Sequence, residues 1–294
     1  MRKASPRIQS LAISAVILAC LLAVWSGLTG SGTTPAATAA LTPEQVEYLQ
    51  LLGKAPDGAG SAGDGAGKAG FPTPSEFGRA VLRHLSDPFH DRGPNDKGIG
   101  VQLGWSLLRV GTGFALACLV AIPLGFVIGM SPLLHRALDP FIQVLKPISP
   151  LAWMPLALYT IKDSSASGIF VIFICSVWPM LVNTAFGVAG VKRDWLNVAS
   201  TLEVSPLRKA LQVILPAAAP TILTGMRISM GIAWLVIVAA EMLVGGTGIG
   251  YFLWNEWNNL SLTNVLFAIL TIGLVGMLLD QSFAALQKKV TYVE

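Results

Sequence analysis

The clearest pattern along the chain is a series of long apolar runs separated by short polar loops. Residues 8–28 are almost continuously apolar, and five further runs follow. A helix that crosses a bilayer needs about 20 such residues. The pattern therefore predicts an all-α integral membrane protein with six transmembrane helices. The five later spans are expected near residues 103–129, 141–161, 167–190, 219–244 and 264–287.

Composition supports this class. The chain of 294 residues is 53% hydrophobic and 12% charged, whereas a soluble domain carries about 25% charged residues. The net charge of +4 is too small to indicate a nucleic-acid partner. The basic start followed by residues 8–28 also has the outline of a signal peptide. The length of the run favours a retained first span, which gives residues 1–29 as N-terminus and first helix.

Residues 30–102 differ in kind and are expected outside the bilayer. Two capping-box patterns, at residues 42–45 and 73–76, open short amphipathic helices that we expect along the outer membrane interface. The glycine- and alanine-rich segment 53–70 between them is typical of a flexible linker. Its Gly67-Lys68 pair lacks the other residues of a phosphate loop. We therefore expect no ATP hydrolysis and no cofactor in this chain.

The basic residues predict the orientation of the core, residues 103–290. Lysine and arginine collect in the short loops on the cytoplasmic side of membrane proteins. Here they mark the N-terminus, the loop after residue 190 and the C-terminal tail: Arg2, Lys3, Arg7, Lys192, Arg193, Arg208, Lys209, Lys288 and Lys289. Both termini and that loop are expected in the cytoplasm.

The loop between the fourth and fifth spans is the longest polar segment in the second half of the chain. Its pattern predicts two short helices with a break at Ser205-Pro206, because serine suits an N-cap and proline the first helical position. Leu215-Pro216 is expected to interrupt the second helix before the next span. A helix pair outside the bilayer, between two spans, indicates a docking site for a soluble partner.

This loop resembles the "EAA" coupling motif in permease subunits of binding-protein-dependent ABC importers. In that motif, Glu-Ala-Ala is followed after three residues by glycine, and a helix then ends in Leu-Pro. Residues 197–199 (Asn-Val-Ala) stand at the first position, Glu203 at the glycine, and Leu215-Pro216 at the end. Glutamate enters a left-handed turn less easily than glycine. We therefore expect Ser205-Pro206 to form the turn instead.

Further stretches are similar to the nitrate/sulfonate/bicarbonate branch of these permeases. Residues 146–156 (KPISPLAWMPL) look like its Arg-Pro-x-x-Pro-Leu-Ala-Trp-x-Pro-Leu signature, and residues 240–251 fit the same branch. Residues 176–184 and 239–246 look most like nitrate permeases. Three prolines within residues 147–155 also make the third span the least regular one and the best candidate for a pore element.

The resemblance implies a type I ABC importer permease fold in a bacterial inner membrane. It implies a second permease subunit, either an identical chain, which is the expectation here, or a different one. It also implies two cytoplasmic ATPase subunits that bind ATP and Mg²⁺, and an extracytoplasmic binding protein. The transported ion would be nitrate, with bicarbonate, cyanate or a sulfonate such as taurine as alternatives. A secondary anion carrier and a membrane-anchored receptor remain open as other classes. No catalytic constellation or metal-ligand spacing is present in the sequence.

Two sets of site residues follow. The coupling helices, residues 191–216, would contact the ATPases through Asn197, Ala199, Leu202, Glu203, Ser205, Leu207, Ala210 and Leu211. The candidates for the translocation path are Lys146, Trp153, Asn183, Arg227 and Glu241. Lys146 and Arg227 would either attract an anion or anchor their helices at the membrane interface, and Glu241 would neutralise one of these two cations. Arg109 and Asp280 are expected to snorkel or to form pairs.

Overall fold

The computed structural model describes residues 6–30, 71–93 and 96–290, and most of these residues are helical. The predicted helix at residues 42–52 and the linker lie outside the described residues. In chain order the elements are α1 (Pro6–Gly30), α2 (Pro74–Ser86), α3 (Ile99–Met130), α4 (Pro132–Leu145), α5 (Pro150–Ile161), α6 (Ser164–Ala189), α7 (Arg193–Thr201), α8 (Pro206–Lys209), a π-helical turn (Ala210–Ile214), α9 (Leu215–Val244), α10 (Ile249–Asn258) and α11 (Leu262–Val290).

The transmembrane character predicted from the apolar runs is confirmed. Among the described residues, four helical stretches are long and apolar enough to cross a membrane: α3, α6, the continuous stretch Pro206–Val244, and α11. The pair α4 and α5 adds a fifth span if its two halves are counted together. At the predicted first span, α1 contains a shorter apolar segment, Ala12–Gly27.

The third predicted span is broken, as its prolines indicated. Helices α4 and α5 meet at an angle of 90°. Residues 146–149 form the bend, and Pro150 begins α5. Proline disfavours helical geometry in the residue before it, and Ser149, which precedes Pro150, has an extended conformation with ψ of 135°. Lys146 is the C-cap of α4 and therefore lies at the bend itself.

The described residues divide into two compact units. The smaller contains the described part of Met1–Arg83 together with Glu256–Phe267. In it, the indole of Trp25 donates to the Pro72 carbonyl over 2.9 Å, and its ring packs against Phe77. The capping box predicted for α2 is present, since the Thr73 N–H donates to Glu76 Oε2 over 2.9 Å. These contacts join the end of α1 to the start of α2.

The larger unit contains the described part of His84–Asn255 and the residues from Ala268 onward. Its centre is the packing of α6 against α3 and α9. Small residues permit this close approach, as expected for membrane helices. A Cβ on Gly113 would lie 2.7 Å from Ile172 of α6, and one on Gly125 would lie 2.7 Å from Thr184. Gly113 and Gly125 therefore allow α3 and α6 to pack closely.

The C-terminal part of α11 lies along α9 within the same unit. The Trp234 indole donates to the Ile272 carbonyl over 3.0 Å. Further along, Arg227 of α9 forms an ion pair with Asp280 of α11. These contacts fix the register of the two antiparallel helices.

The predicted interruption at Leu215-Pro216 is wrong. The helix that starts at Pro206 runs through the π-helical turn into α9 without a break. Proline removes one backbone donor and crowds the preceding turn. The wider π turn directly before Pro216 absorbs this defect, because its hydrogen bonds already skip a residue. The second of the two loop helices is therefore the start of a span rather than a separate element.

Candidate functional site

The polar loop, residues 191–214, reverses direction at Glu203. This residue adopts a left-handed conformation with φ of +50°. The Glu203 N–H donates to the Ser200 carbonyl, and the Val204 N–H donates to the Ala199 carbonyl, each over 3.1 Å. These two bonds are those of a Schellman motif that ends α7. The expectation that Ser205-Pro206 forms the turn in place of Glu203 is therefore wrong.

Ser205 and Pro206 instead start the next helix. Ser205 is the N-cap of α8 and Pro206 its first residue, as the sequence indicated. The Ser205 side chain makes no capping hydrogen bond. The two sides of the break are joined by Lys209, whose ammonium donates to Ser200 Oγ over 2.8 Å. This hydrogen bond links the two helices of the loop to each other across the break.

An apolar cluster holds this loop against the spans. Its buried members come from the end of α6, the π turn and α9, and they are Val188, Val191, Ile214, Ala218 and Ile222. Leu196 of α7 packs against the same cluster. Ala199, predicted to contact a partner, is only 4% exposed. It supports the loop from inside, so the partner-facing residues have to lie elsewhere on α7.

The outer side of the loop is apolar and exposed. Leu202 and Leu207, on either side of the turn, are 70% and 72% exposed. Other exposed apolar side chains of the loop are Trp195, Val198 and Leu211. We call these five residues the loop surface. Asn197, Glu203 and Ser205 are also exposed, whereas Ala210 is half-buried. The loop therefore presents large apolar side chains beside several polar ones.

A buried polar network lies at the other end of α9. The Glu241 carboxylate is 2.8 Å from Arg109 Nη1 of α3, and the two side chains are only 3% and 13% exposed. Ser106, one turn before Arg109, donates to Glu241 Oε2 over 2.8 Å. Arg109 also donates to Ser165 Oγ over 3.0 Å. A buried charge is tolerated where it is paired and hydrogen-bonded in this way.

The same network fixes the start of α10. The first backbone N–H groups of a helix have no partner inside it. The N–H of Gly248 donates to Gln102 Oε1 over 2.6 Å, that of Ile249 to Ser106 Oγ over 2.9 Å, and that of Gly250 to Glu241 Oε2 over 3.1 Å. A Cβ on Gly248 would overlap the Glu241 carboxylate. The Ala-Glu-Met-Leu stretch (residues 240–243) and the Gly-Ile-Gly-Tyr stretch (residues 248–251) are thus joined by hydrogen bonds in one network.

The other proposed path residues have different surroundings. Lys146 is exposed at the bend between α4 and α5, and Trp153 is half-buried on α5. The Asn183 amide donates to the Pro179 carbonyl of its own helix over 2.7 Å. Arg227 is neutralised by Asp280. The structure thus brings none of these side chains to Glu241, whose counter-charge is Arg109, and their place in a path stays a prediction.

One small cavity adjoins the network. It is lined by residues of α3, α5, α6 and α9, among them Arg109, Met154, Gly168 and Glu241, and its volume is about 20 Å³. Such a cavity has room for roughly one water molecule. Within residues 6–30, 71–93 and 96–290, no three His, Cys, Asp or Glu side chains come together as a metal site would require.

The sequence interpretation missed Gln102, Ser106 and Gly248. A usable signal was present, because Gln102, Ser106 and Arg109 are spaced four and three residues apart. This spacing puts them on one face of a helix that is otherwise apolar. A polar face in a membrane helix indicates an interior partner. The partner itself, Glu241, is too distant in the chain for spacing to identify it.

The chain is also similar in sequence to a known family of membrane proteins. Residues 121–292 match the model of the family described as "Binding-protein-dependent transport system inner membrane component". The chain belongs to this family. It is therefore a multi-pass inner membrane protein and the permease subunit of an ABC importer, as the motifs of the sequence indicated.

The similar relatives include proteins named as nitrate permeases and a protein named as a bicarbonate permease. A nitrate import permease protein of Synechocystis sp. is 43% identical over 223 residues, which cover 76% of this chain and 81% of the relative. A nitrate import permease protein of Leptolyngbya laminosa is 47% identical over 67% of this chain and 70% of its own. A bicarbonate transport system permease protein of Synechocystis sp. is 44% identical over 69% of this permease and 73% of that protein.

Solved structures confirm the predicted type I permease fold. The larger part of this permease superposes on the inward-facing MetNI methionine ABC transporter with a TM-score of 0.58. The match covers 64% of this chain and 94% of the other at 13% identity. A crystal structure of an amino acid ABC transporter gives a TM-score of 0.57, with 76% and 100% covered and 11% identity. At this identity the likeness concerns the fold alone.

Proposed function

We propose that this permease forms the translocation path for nitrate in an ATP-driven importer. The observation that carries the choice of ion is the identity of 43% and 47% to two proteins named nitrate import permeases. The sequence stretches most like nitrate permeases include residues 239–246, which contain Glu241 of the buried network.

Bicarbonate is the second candidate ion. A relative named as a bicarbonate permease is 44% identical over a similar share of this chain. Nitrate and bicarbonate are both small planar monoanions, so a permease path of mild polarity would not separate them strongly. Discrimination would then come mostly from the extracytoplasmic binding protein, which delivers one ion to the path.

The loop surface is the proposed docking site for the ATPase subunits. Five large apolar side chains are exposed there, on a loop that α6 and α9 hold rigidly from inside. Exposed apolar patches of this kind mark sites of protein contact. This chain would be non-catalytic, and ATP and Mg²⁺ would bind in the partners. Closure of two ATPases on ATP would move two loops, one on each of two identical permeases.

The orientation follows from this arrangement. The polar loop and both termini would lie in the cytoplasm, and α2 with residues 87–98 would lie on the outer side. A cysteine introduced at Gln212, in a background without Cys20, Cys118 and Cys175, should react with an impermeant maleimide only after the membrane is opened. Reaction in intact cells would show that the loop faces the outside of the cell and that the ATPase does not bind to it.

The choice of ion is tested by uptake. A strain lacking this gene, complemented with the chain, should recover ATP-dependent uptake of ¹⁵N-nitrate at micromolar concentration. Uptake of ¹⁴C-bicarbonate and of ³⁵S-taurine by the same cells should not change. Recovery of bicarbonate uptake alone would assign the chain to the second candidate ion.

The docking site is tested by substitution on the loop surface. Leu207→Asp places a charge in an apolar contact, which costs several kcal/mol when it is buried without a partner. We expect loss of ATPase co-purification with unchanged permease in the membrane. Gln212→Asp is the matched control, because Gln212 is exposed on the same helix but does not belong to the loop surface. Normal co-purification of both variants would rule out this docking site.

A further inference from the structure

The π-helical turn between α8 and α9 changes which side of the continuous helix is buried. After the turn, Ile214 and Ala218 are four residues apart, and both belong to the buried apolar cluster. In an uninterrupted α-helix, the residues three and seven positions before Ile214 share its face, because two turns take about seven residues. These residues are Leu211 and Leu207. An uninterrupted helix would therefore direct both leucines toward the cluster.

The two leucines have the opposite orientation in the structure. Leu207 is 72% exposed and Leu211 is 55% exposed, whereas Ile214 is 4% exposed. The half-buried residues before Ile214 are instead Lys209 and Ala210, which lie five and four positions before it. The buried side has thus moved by about one residue, which is a rotation of about 100° around the helix axis.

The extra residue in the π turn accounts for this rotation. The Leu215 N–H donates to the Ala210 carbonyl, five positions earlier, whereas the N–H groups of an α-helix donate four positions back. A turn closed in this way contains one more residue, so the part before it is rotated by about 100° relative to the part after it. The bond from Lys209 to Ser200 Oγ fits this rotation, because it directs Lys209 toward α7.

The proline that follows the turn, Pro216, is not sufficient to explain it. Within the described helices, five prolines lie inside α-helices that continue past them without a π turn: Pro123, Pro140, Pro155, Pro179 and Pro220. Of these, Pro220 lies on the same helix as Pro216, only four residues further along. Single π turns inside α-helices are frequent at functional sites. The orientation of α8 is a function that this turn can serve.

We propose that the π turn is a positioning element that directs Leu207 and Leu211 toward the ATPase subunits. The inference rests on the docking function proposed above for the loop surface. By rotating α8 relative to α9, the extra residue removes both leucines from the face that packs inside the permease. It thereby adds them to Trp195, Val198 and Leu202 on the loop surface. The matching surface of the ATPase would be apolar, because an exposed leucine gains most from leaving water.

Changes in the length of the turn test the rotation without the ATPase. Deletion of Gln212 removes the extra residue, and Leu207 then lies six α-helical residues before Ile214, still about 120° from its face. An alanine inserted after Gln212 should turn Leu207 by about 100° onto that face. In inside-out vesicles without ATPase or native cysteines, Leu207→Cys should react with an impermeant maleimide equally fast with and without the deletion. The insertion should slow this reaction about tenfold or more, because a buried thiol reacts only after local opening.

Leu202→Cys is the matched control, because Leu202 is exposed on the other side of the break and should react equally in all three backgrounds. Slow reaction of Leu207→Cys in the deletion variant, with Leu202→Cys unchanged, would overturn the proposal and leave docking elsewhere on the loop possible. Fast reaction of Leu207→Cys in the insertion variant would also overturn it. If neither cysteine reacts in any background, the loop does not face the cytoplasm, and the proposed docking function fails together with this inference.

Co-purification of the ATPase tests the consequence of the rotation. The deletion variant should retain the ATPase, and Leu207→Asp should abolish co-purification in that background as it does in the full-length chain. The insertion variant should lose the ATPase while the amount of permease in the membrane stays the same. Retention of the ATPase by the insertion variant would overturn the proposal. Loss of the ATPase from the deletion variant, while Gln212→Asp retains it, would overturn the proposal as well.

Discussion

Loss of Arg109 provides a quantitative test of the buried network. Arg109→Met keeps an unbranched apolar side chain at this position but removes the guanidinium and leaves the Glu241 carboxylate without a cation. The carboxylate retains its bonds to Ser106 and to the Gly250 N–H. Removing one partner of a buried pair costs about 3–5 kcal/mol. Because Glu241 also positions the first turn of α10, the loss should extend to that helix.

The magnitude follows from the burial of the pair. With side chains 13% and 3% exposed, neither group can regain its hydration without opening the junction of α3, α9 and α10. The double variant Arg109→Met with Glu241→Gln removes both charges and keeps an amide that accepts from Gly250. We therefore expect its loss of stability to be about 2 kcal/mol smaller than the sum of the losses in the two single variants.

The assay is the temperature at which the purified importer aggregates, followed by fluorescence-detected size exclusion. At about 2–4 °C per kcal/mol, a loss of about 3–5 kcal/mol in Arg109→Met should lower that temperature by roughly 6–20 °C. Arg136→Met, at an exposed arginine of α4, is the matched control and should change stability by about 0.5 kcal/mol or less. If Arg109→Met matched this control, or if the double variant showed no recovery, the network would not stabilise the fold.

Three further predictions follow from individual residues. Glu203→Gly should stabilise the polar loop by about 1 kcal/mol, because glycine adopts the left-handed turn without strain; an unchanged or lower aggregation temperature would contradict the Schellman assignment. Lys146→Arg should be nearly neutral for nitrate uptake, and Lys146→Glu should stop uptake by repelling the anion; equal uptake by Lys146→Gln and Lys146→Glu, at matched membrane levels, would remove Lys146 from the path. The pKa of His90 is raised above its ordinary 6.5, chiefly by its bond to the Asp87 carbonyl and also by Asp96, so residues 87–93 should be most protected from proteolysis below the ordinary pKa and lose that protection as pH rises through the raised value. His90→Gln should abolish this pH dependence, and a variant that kept it would show that another group titrates.

The sequence predicts the spans well because they obey a simple rule. A helix in lipid must be apolar over about 20 residues, and α3, α6, α9 and α11 each contain such a run. The bend between α4 and α5 was also predictable, since three prolines lie within residues 147–155. The start of α8 was predictable for a similar reason, because Pro206 suits the first helical position.

The chemistry of the interior was only partly predictable. Each charged residue in the spans was identifiable, but the pairing of Arg109 with Glu241 and of Arg227 with Asp280 depends on which helices are neighbours. That is a property of packing, and spacing along the chain does not contain it. The turn at Glu203 was misjudged for a different reason. Local preference opposed it, and the two backbone bonds that end α7 outweighed that preference.

The burial of Ala199 was also not predictable from the hydrophobic pattern of the sequence. Helical spacing groups it with Trp195 and Leu202, yet Ala199 faces inward and Leu202 is exposed. An amphipathic helix next to a membrane has two apolar environments available to it, the protein and a partner. Periodicity does not tell them apart, because both favour the same residues. Only the position of the apolar cluster at Val188 and Ile222 decides which side faces the protein.

The most direct test of the account is transport by the reconstituted importer. The permease would be purified with its ATPase and binding protein and placed in proteoliposomes loaded with a nitrate-sensitive reporter. We predict nitrate entry that requires both ATP and the binding protein, and its loss in Leu207→Asp while Gln212→Asp transports normally. Nitrate entry through the permease alone, independent of ATP, would contradict the central claim and identify the chain as a carrier or channel.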